Sequence, residues 1–175
     1  YIKSLEAWIS GNLTQAIKEL ERIAERYPEE KEAFMWLGFT YRSGLRRNEE
    51  AVRYLNKAIE IDPLYKVAYL LLAYVYNDLG DFEKSIWAVN KYISLAPDEA
   101  NPYDTRAYLY ACNGKLDQAI ESYKKALKIK PDFWWSLSGL GNMYLFKREY
   151  VKAESCYQKL CSGSDKDTRS AGRLY

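Results

Sequence analysis

Apolar residues recur along this chain at helical spacing in paired bursts, Val67 to Asp78 and then Phe82 to Leu95 for instance, with Leu79-Gly80-Asp81 between them. A three-to-four-residue period puts those side chains on one face of a helix, so each pair of bursts reads as helix, turn, helix. The pattern is itself periodic. Prolines at 28, 63, 97 and 131 close similar phrases, Glu25-Arg26-Tyr27-Pro28, Glu60-Ile61-Asp62-Pro63, Ser94-Leu95-Ala96-Pro97 and Lys128-Ile129-Lys130-Pro131. Proline lacks the N–H that would continue a helix, so each of them ends one hairpin and opens the next. Gly11, Gly44, Gly80 and Gly114 stand at the turns inside the hairpins, where a residue free to take positive φ can end the first helix. The fifth hairpin has Arg148 there, which predicts a longer first helix or a strained turn.

Small and bulky residues fall in register with this period. The second hairpin carries Phe34, Leu37-Gly38, Tyr41, Ala51, Leu55, Ala58 and Pro63; the third Tyr69, Leu72-Ala73, Tyr76, Ser85, Val89 and Pro97. The fourth carries Tyr103, Ala107, Tyr110, Ala119, Tyr123, Ala126 and Pro131, and the fifth Leu137, Leu140-Gly141, Tyr144, Ala153 and Tyr157. Ala16 and Leu20 belong to an earlier second helix. Small residues suit the crossings of paired helices, and bulky ones the packing between hairpins. In period and in these residues the chain resembles the tetratricopeptide repeat family. Arg106, standing where the other repeats have Leu, and the longer turn Ser43-Gly44-Leu45-Arg46-Arg47-Asn48 depart from the pattern. Asn101-Pro102 is expected to start its helix as an N-cap followed by an N1 proline.

The resemblance implies an all-α, right-handed superhelical solenoid of antiparallel helix-turn-helix repeats. The array is expected over residues 1–161, as a partial repeat 1–30 and further repeats 31–65, 66–99, 100–133 and 134–161. Residues 162–175 are expected to form a linker and the start of a further or capping helix. Both ends fall inside a repeat, the expectation for a segment of a larger protein.

In this family the first helix of each hairpin lines the concave surface, so first-helix residues outside the packing motif are expected to face a groove, aligned in rows. One row is Phe39, Tyr74, Tyr108 and Asn142; a second is Met35, Leu70, Asp104 and Ser138; a third is Ser43, Asp78, Cys112 and Phe146. Asn77, Asn101 and Trp135 flank them, while Tyr76 and Tyr110 are assigned to packing. Such a groove is aromatic with amide and carboxylate edges, suited to holding a peptide by stacking and hydrogen bonds. The family's clamp for acidic chain ends uses Lys, Asn and Arg in these rows. Here Met35, Phe39, Leu70 and Leu71 fall in or near them, with Lys66 the one cation, which disfavours that ligand.

Composition narrows the function classes. Lys plus Arg number 26 against 24 Asp plus Glu, too even a balance to attract nucleic acid. No apolar run is long enough to insert in a membrane. Without any His, and with three scattered Cys at 112, 156 and 161, neither a His-based triad nor a four-ligand zinc site can be assembled, and no cofactor is expected. The odd cysteines within helical patterns point to reduced thiols and a cytoplasmic setting. Asp78 and Asp104 could imitate a catalytic carboxylate pair but have no base of another kind beside them, so an enzyme is not expected. Arg42, Arg46, Arg47 and Arg53 read as a solvated turn, and Lys124, Lys125, Lys128 and Lys130 as a wet outer face paired in part with Glu121. The expected function is a protein-interaction scaffold that binds a peptide or protein surface in its groove. The alternative is a spacer or end-to-end self-association module of a larger signalling protein, since truncated repeats are expected to expose hairpin faces at both ends, and the segment from Pro97 to Asp104 also resembles repeats that follow kinase or cyclase domains.

Overall fold

The computed structural model describes residues 1–162, which form ten α-helices and no strand. They are α1 (Ile2–Ile9), α2 (Leu13–Arg26), α3 (Lys31–Ser43), α4 (Asn48–Ile61), α5 (Lys66–Asp78), α6 (Phe82–Leu95), α7 (Ala100–Cys112), α8 (Leu116–Ile129), α9 (Trp134–Phe146) and α10 (Tyr150–Ser162). Consecutive helices pair as hairpins, α1 with α2 through α9 with α10. The chain divides into two compact units, Tyr1–Leu95 with three hairpins and a second from Ala96 onward with two. The expected linker or capping helix over 162–175 lies outside the described residues, except that Ser162 ends α10.

Within each unit a second helix packs on the first helix of the next hairpin, α2 on α3 and α4 on α5, then α8 on α9. The period explains this. Leu37, Leu55, Leu72 and Leu109 are fully buried at equivalent depths, each such side chain stabilising the fold by roughly 1.5–3 kcal/mol. Small residues let the paired helices approach: a Cβ on Gly38 would sit 2.6 Å from Leu55 Cγ, and one on Gly141 2.8 Å from the Tyr157 ring. Ser85 takes the crossing position that alanine has elsewhere, and its buried hydroxyl donates to the Ala73 carbonyl at 2.8 Å, which satisfies it.

The joints between hairpins are tied by side chains. Tyr69 Oη donates to the Pro63 carbonyl at 3.2 Å, and Tyr103 Oη donates to the Pro97 carbonyl at 3.1 Å. The same tie thus recurs one period apart. Lys31 and Asp62 pair at 2.5 Å, fixing the start of α3 to the end of α4.

The turns and helix starts correct two expectations and decide between the alternatives of a third. Gly11, Gly80 and Gly114 do adopt positive φ, but Gly44 does not, at φ −89°. The longer turn moves the left-handed residue on to Arg46, at φ 57°. Gly44 is required instead for room, because a Cβ there would stand 2.9 Å from the fixed Thr40 carbonyl oxygen as well as 2.8 Å from Leu13 Cδ1. In the fifth hairpin α9 keeps the 13 residues of α5 and α7, and Arg148 takes φ 60°, the strained alternative. Finally, Glu99 stands at the N-cap position of α7, without a side-chain cap bond, and Asn101 lies inside the helix. Pro102 follows within the first turn, where an N–H has no helical acceptor, so the proline costs no hydrogen bond.

Candidate functional site

The candidate residues divide between the two units. In the first, α3 and α5 touch as successive first helices. Phe39 turns toward α1, its ring 5.6 Å from that of Trp8 and 5.6 Å from that of Trp36. Beside this aromatic group a cavity of about 160 Å³ opens, with Leu20 and Thr40 buried at its floor and Leu5 and Trp36 at its rim. No sequence signal located it, since Trp8 and Trp36 come to it from different hairpins. Met35, Leu70, Tyr74 and Asn77 are partly buried and Asp78 is exposed.

Asp78 is engaged within the protein. Arg42 on α3 donates its Nε to Asp78 Oδ2 at 2.7 Å, and the guanidinium lies 5.2 Å over the Tyr74 ring. The arginines expected to share a solvated turn therefore separate. Arg42 bridges to α5, Arg47 pairs with Glu50, and Arg53 lies over Tyr54. The pairing with Asp78 neutralises the cation near the C-terminal end of α3, which leaves that end aromatic and charge-balanced.

In the second unit the first helices are α7 and α9. Tyr108 is 45% exposed, Trp135 56% and Phe146 72%, large apolar surfaces that the core does not use. Trp135 stacks on Trp134 with centroids 3.5 Å apart. Asn101 is exposed at the start of α7. Asn142 is turned into its own hairpin, where its Oδ1 accepts from Tyr157 Oη at 2.8 Å. Helix α9 carries no charged residue at all, and α7 has only Asp104 and Arg106.

Those two charges point apart. Arg106 donates its Nε to Ser122 Oγ on α8 at 3.2 Å and lies over the Tyr103 ring. Asp104 is partly buried at the seam with α9, where its Oδ1 accepts from Ser136 Oγ at 2.6 Å. Burial raises the Asp104 pKa above the usual aspartate value, and the Ser136 hydrogen bond offsets part of that. Tyr110 packs against the core of this unit, as assigned. Lys124 and Lys125 lie over the rings of Tyr144 and Tyr103, so aromatic faces take the place expected for Glu121.

Cys156 is buried, which raises its thiol pKa, whereas Cys112 and Cys161 are exposed. Among the described residues no helix is long and apolar enough to cross a membrane.

Comparison with known proteins places this architecture. No curated protein matches the chain. Among solved structures, MamA superposes with a TM-score of 0.76 at 23% identity, covering 98% of this chain and 97% of that one. TTC0263, a thermophilic TPR protein of Thermus thermophilus, gives 0.75 at 23% identity over 98% and 96%. PilF of Pseudomonas aeruginosa gives 0.77 at 18% identity over 98% and 88%. At such identities the likeness is one of fold. Models of the tetratricopeptide repeat match residues 3–63, 54–86 and 136–170, and a TPR repeat model matches 107–145. With matches along most of its length and hairpins at the matching period, the chain belongs to the tetratricopeptide repeat family.

Proposed function

We propose that this protein is an interaction scaffold that holds a peptide or protein surface against the first helices of its hairpins. Membership of a family whose repeats serve as interaction scaffolds supports the general role. The observation that carries the site is the exposure of Tyr108, Trp135 and Phe146 on α7 and α9. Rigid aromatic rings that the core leaves exposed supply contact area at small entropic cost, the usual makeup of binding anchors. In the first unit Met35, Leu70 and Tyr74 belong to a first-helix surface of their own; in the second, Asn101 and Asp104 give the α7 and α9 surface polar edges.

Peptides selected from a phage-displayed random library against the intact chain test this reading. Replacing both Tyr108 and Trp135 by Ala should weaken those peptides at least about tenfold while leaving helical circular dichroism unchanged. Undiminished affinity would remove the assignment to α7 and α9.

Self-association is a second reading, favoured by one observation. Ile2, Leu5 and Ile9 form an exposed apolar stripe on α1, and Leu145, Phe146, Tyr150 and Val151 an exposed apolar patch at α9 and α10. A head-to-tail contact would cover both. Charging either patch should then leave each variant monomeric, with a one-to-one mixture of the two variants restored to a dimer by light scattering. A wild-type chain that is monomeric at high concentration excludes it.

A further inference from the structure

Resting on the interaction-scaffold reading, we infer that the α7–α9 surface selects a polypeptide that brings a lysine or arginine side chain to Asp104. Asp104 lies at the seam of two first helices, accepts a hydrogen bond from the neutral Ser136 hydroxyl, and has no ion pair among the described residues. Ser136 is fully buried, so the carboxylate is held from the protein side while its remaining exposure faces outward. Elsewhere in the chain comparable acids have cations: Asp62 has Lys31, Asp78 has Arg42, and Asp81 has Lys84.

The surroundings provide no substitute. Helix α9 contains no charged residue, and the one cation of α7, Arg106, is directed to Ser122 on α8. A partly desolvated carboxylate without a counter-charge is a standing cost to the fold, and that cost is relieved when a cation reaches it. The environment suits a cation in a second way. Tyr108, one turn along α7, and Trp135, next to Ser136 along α9, both expose aromatic surface, to whose π faces an ammonium or guanidinium is attracted. Phe146, at the far end of α9 and about 15 Å along the helix from Ser136, is apolar and exposed as well, so the fitting partner is a segment that combines one basic residue with apolar residues beyond it, not a polybasic tract.

The selection described above also tests this inference. Peptides recovered against the intact chain should be enriched in Lys or Arg at one position among apolar residues, and a parallel selection against Asp104→Asn should lose that enrichment. For a recovered peptide, exchanging Lys for norleucine should weaken binding to the wild type about 10- to 100-fold and to Asp104→Asn hardly at all, the range for a charge-assisted hydrogen bond. The norleucine exchange leaves the protein unchanged, so the result does not depend on how the variant folds. Peptides that bind through Tyr108 and Trp135 without basic enrichment, or that tolerate norleucine, overturn this inference and leave the scaffold reading standing. If no peptide depends on Tyr108 and Trp135, both fail.

Discussion

Single side chains in this protein are constrained by geometry that leaves little slack. A Cβ added to Gly139 would stand 2.3 Å from Tyr123 Cζ, inside a core that also holds Leu140 and Met143. Gly139→Ala is therefore expected to cost about 1–3 kcal/mol, measured by urea denaturation. Arg148 offers the opposite change. Its left-handed backbone, φ 60°, is disfavoured for a residue with a Cβ by about 1–2 kcal/mol, so Arg148→Gly should raise the midpoint of thermal unfolding. Asp104 makes stability depend on pH. Its folded pKa lies above the unfolded value, so its contribution is full below the unfolded pKa and is lost as pH rises through the folded one. Asp104→Asn, which can still accept from Ser136, should thus melt above the wild type near pH 7, with the gain shrinking toward about pH 3. An equal difference at both values would show that charge is not the cause.

At the scale of the helices, much of the architecture was legible because the pattern is dictated by contacts that every hairpin must make. Leu37-Gly38 and Leu140-Gly141 could be assigned to crossings from spacing alone, and Gly38 and Gly141 indeed leave no room for a Cβ. What escaped reading were features settled by neighbours remote in sequence. Gly44 looked like a turn residue by analogy with Gly80, yet the turn is one residue longer and the Thr40 carbonyl is what leaves no room for a side chain. Asn101 looked like a cap, but α7 begins earlier. Of the candidate site, the exposed Tyr108 and Phe146 lie on the helices expected, whereas the Trp8–Phe39 contact and the Arg42–Asp78 bridge join different hairpins and leave no local trace. One element-level test concerns caps. Asn12 accepts the Gln15 N–H at 3.1 Å, so Asn12→Ala should weaken α2 by about 1 kcal/mol. Ser85→Ala, by contrast, installs the residue that Ala51, Ala119 and Ala153 supply in other hairpins, and should cost under about 1 kcal/mol.

For the whole molecule, stacked repeats communicate mainly through nearest neighbours. Gly139→Ala should accordingly lower amide-exchange protection in α7 to α10 more than in α1 to α6, as followed by mass spectrometry. Uniform loss across all ten helices would indicate a single cooperative unit. Helix α9 has a further consequence, for biogenesis. Its thirteen residues, Trp134 to Phe146, lack charge and include three large aromatics besides Tyr144, so before docking on α8 the segment is adhesive in every direction. Nascent or refolding chains must bury it promptly or lose it to clumping, which makes α9 the natural target of holdase chaperones and makes refolding yield fall as protein concentration rises.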